Sequence, residues 1–397
     1  MSFRKHRTTL AALLVLGLVL ISLFFATKIP AILNIVGIRS KVGPTDPSVA
    51  NLALSARPSP PVFSAPVTKA SGLGHIQAAL SSLRAAAGAE ESRKILVNLH
   101  AYLKSLPPDV AASVITGFLA DPAGDAPTRI EFTIGNNGSL SGQPTLRIAL
   151  LDWLGGIDPQ RAGIVAQQIL DTRNSADEWA VCLRNYARAY PGIESNAFLR
   201  TKTEELIRNP NWRINPSVGF FESFDVLVHT RATQSTGLLA GMVADRTPEG
   251  KALAHASFLT LDRLTIHEPA AMIQQLVARP DLAKARPEMV ANIIARADLR
   301  DVAQQQLVRS YLLEPARTSV ELSTFTGIYP NANFSISNNL LTENTTLTNA
   351  EITARDTAAL AVVDTWIADP AFESVKPYLT AIRHRLANFT SPSEMAR

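Results

Sequence analysis

Cysteine is almost missing: Cys182 is the single one in 397 residues, so no internal disulfide can form and the chain must rely on its own apolar core. Histidine is also scarce. Beyond the N-terminal region the histidines are His75, His100, His229, His255, His267 and His384, and no two are spaced to grip one metal from a single helical face. No metal is expected. The glycines of 135–142 come without the lysine and the following serine or threonine of a phosphate loop, and no strand–helix alternation surrounds them, so no nucleotide cofactor is expected either. A Gly-x-Ser-x-Gly elbow is absent, and Asn331 to Ser335 lacks the glycine and closing glutamate of a calcium loop.

The third absence is of net charge where it would matter. Lysine and arginine number 38 against 34 acidic residues, but Arg4, Lys5, Arg7, Lys28 and Arg39 all precede residue 40, where there is no acid at all. From there on acids exceed bases by a single charge, which gives no footprint for nucleic acid.

What the sequence does have is one long apolar run, Leu10 to Ala26. Extended by Thr8, Thr9 and Thr27, it spans roughly 30 Å as a helix, the thickness of a bilayer's hydrocarbon core. The exit, Phe24-Phe25-Ala26-Thr27-Lys28, lacks a small-x-small cleavage site, so the run reads as a retained signal-anchor rather than a removed signal. Arg4, Lys5 and Arg7 before it favour residues 1–9 staying cytoplasmic, residues 10–27 crossing the bilayer and the large remainder lying outside the cytoplasm, in the periplasm of a bacterium. Residues 28–71 read as a juxtamembrane segment followed by a linker rich in Pro, Ser and Ala; Pro44, Pro47, Pro58, Pro60, Pro61 and Pro66 punctuate it.

From residue 72 to 397 the pattern is helical. Ile76, Ala79, Leu80 and Leu83 recur at i, i+3, i+4, i+7; Leu96, Leu99 and Leu103 make a second stripe, and Val110, Val114 and Phe118 a third. Further stripes are Ala162, Val165, Ala166 and Ile169; Val290, Ile293 and Ile294; Ala303, Leu307 and Tyr311; and Leu360, Val363 and Ile367. An internal echo appears three times: Leu151-Asp152-Trp153-Leu154 leading to Asp158-Pro159, Leu261-Asp262-Arg263-Leu264 to Glu268-Pro269, and Val363-Asp364-Thr365-Trp366 to Asp369-Pro370. An acidic residue before proline suits a helix start, so each marks a joint between helices, and spacings of 110 and 102 residues fit two or three helix pairs each. The expected fold is all-α: an irregular α-solenoid of stacked, HEAT-like helix pairs.

Two stretches break this texture. Phe132-Thr133-Ile134-Gly135-Asn136-Asn137 resembles Phe334-Ser335-Ile336-Ser337-Asn338-Asn339, 202 residues later, and Asn137-Gly138 is a strong hairpin turn. These two extended insertions either pair with each other or stand as loops on one face of the helices. A third irregular stretch, Asn209 to Pro216, carries Trp212 and Arg213, which would form a contact patch if exposed and a plug if buried. The candidate contact residues are therefore Asn136, Asn137, Trp212, Arg213, Asn338 and Asn339. Cys182, on one stripe with Trp179 and Tyr186, reads as a packing residue.

The expected function is a membrane-tethered extracytoplasmic binding or scaffolding module, with the bilayer and another protein as partners and self-association open. The alternative is an enzyme acting on polysaccharides from a closed helical ring, which needs paired carboxylates beside aromatics. Asp152 with Trp153, Glu178 with Trp179, and Glu222 with Asp225 near Phe221 are its candidates.

Overall fold

The computed structural model describes residues 69–121, 124–172, 175–333, 339–344 and 346–390. The apolar run Leu10–Ala26, the linker up to residue 68 and Phe334–Asn338 lie outside them. No helix among the described residues is long and apolar enough to cross a membrane.

The described residues are all-α apart from three short 3-10 turns and one two-stranded hairpin. Helices α1 (Lys69–Ala85), α2 (Ala89–Ser105) and α3 (Pro108–Leu119) each turn one apolar stripe inward, which is why their sequences repeat every three to four residues. Ile76, Leu80 and Leu83 of α1, Leu96, Leu99 and Leu103 of α2, and Val114, Ile115 and Phe118 of α3 are all buried. Each such side chain removed from water contributes about 1.5–3 kcal/mol.

The hairpin follows, β1 (Thr133–Ile134) against β2 (Leu140–Gly142), antiparallel, with Thr133 opposite Gly142 and Ile134 opposite Leu140. Its turn is the one the dipeptide demands. Asn137 and Gly138 both lie in the left-handed region, at φ +55° and +67°. Ile130 and Phe132, which precede β1, anchor the hairpin in the core.

Next come α4 (Leu146–Ile157), α5 (Pro159–Leu170), α6 (Ala176–Ala189) and α7 (Ile193–Arg208). Asp158 ends α4 and caps α5, accepting the Arg161 N–H at 3.0 Å while Pro159 takes the first helical position and loses no bond. The same proline start opens α8 (Pro210–Ile214), α13 (Pro269–Val277), α14 (Pro280–Ala285) and α15 (Pro287–Ile294). Between α8 and α13 lie α9 (Val218–Glu222), α10 (Asp225–His229), α11 (Thr236–Ala244) and α12 (Lys251–His267). The chain finishes with α16 (Val302–Leu313), α17 (Ser319–Ile328), α18 (Asn349–Ala368) and α19 (Lys376–Thr390).

Helices pack on their neighbours in sequence, as α5 on α6, α11 on α12 and α18 on α19, and on the helix after next, as α1 on α3, α4 on α6 and α15 on α17. Two local expectations change. The buried stripe of α16 is Gln304, Val308, Tyr311 and Leu312, while Ala303 faces solvent: Asp301 caps the helix from outside, and the side chain of Gln304 turns in to accept the Asp298 N–H. The stretch 210–214, read as a loop, is a short helix, because Asn209 caps it by accepting the Asn211 N–H and Pro210 starts it.

Candidate functional site

The acidic residue shared by the first two copies of the internal echo is buried. Asp152 on α4 receives the Arg184 guanidinium of α6 at 2.8 Å, and Asp262 on α12 receives Arg296, just past α15, through two bonds of 2.8 Å. Asp225 of α10 accepts Arg263 of α12 at 2.7 Å. The sequence intervals are 32, 34 and 38 residues, so each pair ties a helix to one further along the chain. A companion pair, Arg147 of α4 with Glu178 of α6 at 3.0 Å, makes the α4–α6 contact doubly ionic. In the third copy of the echo Asp364 is half exposed and meets Arg383 of α19 at 2.6 Å.

Burying a carboxylate and a guanidinium together brings little net stability, because desolvation consumes most of their attraction unless every remaining lone pair and N–H finds a partner. Here the insertions supply those partners. Arg184 also donates to the Gly138 carbonyl at 2.6 Å, and Asp152 accepts the Leu140 N–H at 3.1 Å, so the first hairpin sits on this pair. Arg188, one turn further along α6, donates to the Asn137 carbonyl. Its own pKa falls to about 10, chiefly through burial and then through the nearby Arg184 charge.

The second insertion runs over the other two pairs. Arg296 donates to the Asn333 carbonyl at 2.5 Å, and Asn331 donates from its backbone to Ala295 at 2.7 Å and from its side chain to Asn292 at 3.0 Å. Asp225 accepts the N–H groups of Leu341 and Thr342 at 2.6 and 2.8 Å, as well as the Thr342 hydroxyl, which also receives Arg263. Glu222, at the end of α9, accepts the Asn339 N–H, and its pKa is pushed up to about 7, chiefly by burial.

These anchors bring the two insertions together. Gly138 lies so close to the second insertion that a side chain there would fall 2.1 Å from the Leu340 carbonyl oxygen, and its positive φ independently favours glycine. Among the described residues they share no strand pairing; they abut. Between them opens a cleft of about 450 Å³, lined by Gly135, Asn136, Asn137 and Gly138 on one side and by Asn339 and 341–344 on the other. Asn136, Asn137 and Asn339 expose their side chains there. On the opposite flank of the hairpin is a smaller hollow of about 240 Å³, where His100 stacks on Trp153 with ring centres 4.4 Å apart, beside Gln143 and Arg93. Burial, helped by Lys104, holds His100 below its ordinary pKa.

Of the residues expected to form contacts, Asn136, Asn137 and Asn339 therefore meet at one cleft, and Asn338 falls outside the described residues. Trp212 and Arg213 are elsewhere. Trp212 is half-buried and packs edge-on against the fully buried Trp179 at 5.2 Å, which is the plug reading, and Arg213 is exposed. Cys182 is fully buried with its pKa raised well above the ordinary thiol value, chiefly by burial, as a packing residue should be.

Of the carboxylates suited to hydrolysis, Asp152, Glu178 and Asp225 are all spent in buried ion pairs. No group of three or more His, Cys, Asp or Glu among the described residues is placed to hold a metal. The arrangement can offer amides, carbonyls and one carboxylate to a ligand, which is the chemistry of recognition. No family model, curated protein or solved structure matches the chain.

Proposed function

We propose that this chain is a membrane-tethered, extracytoplasmic binding module, an irregular HEAT-like solenoid whose contact site for a protein partner is the cleft between its two insertions. Packing of helices on neighbours up to three places on, such as α6 on α9 and α13 on α16, supports the stacked-pair reading, since solenoid repeats contact only those near them in sequence. The tether rests on the length and charge flanks of Leu10–Ala26.

The observation that carries the reading is the meeting of Gly138 with Leu340, each insertion being bonded to a buried ion pair. Loops are ordinarily free to vary, and a rigid scaffold that fixes two of them against each other builds a recognition surface. The enzymatic alternative is weaker because three of its four carboxylates, Asp152, Glu178 and Asp225, are neutralised by arginines, which leaves Glu222 without a free carboxylate to work beside it.

The test is crosslinking of the full chain in its native membranes, comparing the natural protein with Asn136→Arg combined with Asn339→Arg. Loss of one specific crosslinked species, with the melting temperature unchanged, is the expected result. Identical crosslinks from both proteins would rule the cleft out as the contact site.

A further inference from the structure

We infer that Glu222 and Asp225 form a proton-sensitive latch that holds residues 339–342 of the second insertion against the first, and so regulates access to the cleft; this rests on the reading of that cleft as the binding site. The geometry is a clamp by two carboxylates three positions apart. Glu222 takes the Asn339 N–H, Asp225 takes the next two but one, from Leu341 and Thr342, and Leu340 between them abuts Gly138. Three of four consecutive residues are thus held by two acids.

The acids differ in their surroundings. Asp225 has the Arg263 guanidinium at 2.7 Å and two backbone donors, so its charge is met. Among the described residues Glu222 has only the Asn339 donor, and its Oε2 is buried with no hydrogen-bond partner. The charged groups near it are Asp225, which opposes its ionisation, and Arg263, which favours it less because it is already committed to Asp225 and Thr342. Asp177 of α6 touches the other end of α9, accepting the Gly219 N–H at 2.9 Å, and is itself raised by burial. His229 and His267, which also feel Asp225, are held below their ordinary values, chiefly by burial.

Closed against the second insertion, Glu222 therefore keeps a proton; hydrated, with 339–342 released, it would return toward its ordinary value of 4.5. The latched form binds more protons than the released one between that value and about 7, so latching weakens as pH rises through this window and is constant above it. The upper limit of the effect is about 300-fold in the latch equilibrium.

Hydrogen exchange of the full chain in detergent, corrected for intrinsic rates, reads this without knowledge of any partner. Protection of the Leu341 and Thr342 amides is expected to fall at least tenfold between pH 5 and pH 8, with α1 and α5 as unchanged internal references. Glu222→Gln should hold protection level across that range, and it also separates Glu222 from Asp177. Wild-type protection that ignores pH, or a variant that follows the wild type, would overturn the latch. Should the variant misfold, the carboxyl carbon resonance of Glu222 in the natural protein decides: a midpoint near 4.5 refutes the proposal and one near 7 supports it. If the exchange result holds while the crosslinking variant changes nothing, the latch stands and the assignment of the cleft as contact site falls.

Discussion

At the scale of single residues the buried ion pairs behave as locators more than as glue. Asp152 and Arg184 bring two helices and a hairpin into one register, since the same two side chains bond each other, the Gly138 carbonyl and the Leu140 amide. Asp152→Ala should cost about 3–5 kcal/mol in urea unfolding, because it strands a buried guanidinium. Pairing Arg184→Met with Asp152→Leu removes that stranded charge and should recover part of the loss. Recovery should stay incomplete, because two backbone groups of the hairpin then lose their partners, each worth about 1–3 kcal/mol. Full recovery would mean that the hairpin draws nothing from the pair.

At the scale of elements, much was legible in advance. The stripes of α1, α2, α5 and α15 follow directly from apolar spacing, because one buried face of a helix needs nothing but its own period. The joint at Asp158-Pro159 and the turn at Asn137-Gly138 were equally plain, being local chemistry. The ion pairs were not. The internal echo singled out Asp152 and Asp262, but as joints; their partners lie 32 and 34 residues away, and only three-dimensional packing selects them from the arginines available. A recurring aspartate-to-arginine interval of that size was the signal present in the sequence. The three joints also differ in strength. Asp158 bonds the helix it caps, whereas Glu268 makes no capping bond and instead meets Arg231 at 3.0 Å on the surface. Asp158→Ala should therefore lower stability by about 0.5–2 kcal/mol. Glu268→Ala should cost at most about 1 kcal/mol, as expected for an exposed pair. Equal losses in thermal melts would show that capping is not what Asp158 contributes.

At the scale of the whole molecule, the proposed tether gives a direct expectation. After alkaline carbonate washing, the full chain should stay with the membrane pellet, while a chain starting at Lys69 should appear in the supernatant. Release of both would remove the anchor from the proposal. The abutment of Gly138 with Leu340 has a consequence in time as well as in space. A ribosome delivers the first hairpin long before the second insertion exists, and contacts between sequence-distant segments are the slowest to close. The cleft can therefore close only once both insertions have left the ribosome, and a chain that stops short of Asn339 would carry the first hairpin without its facing wall.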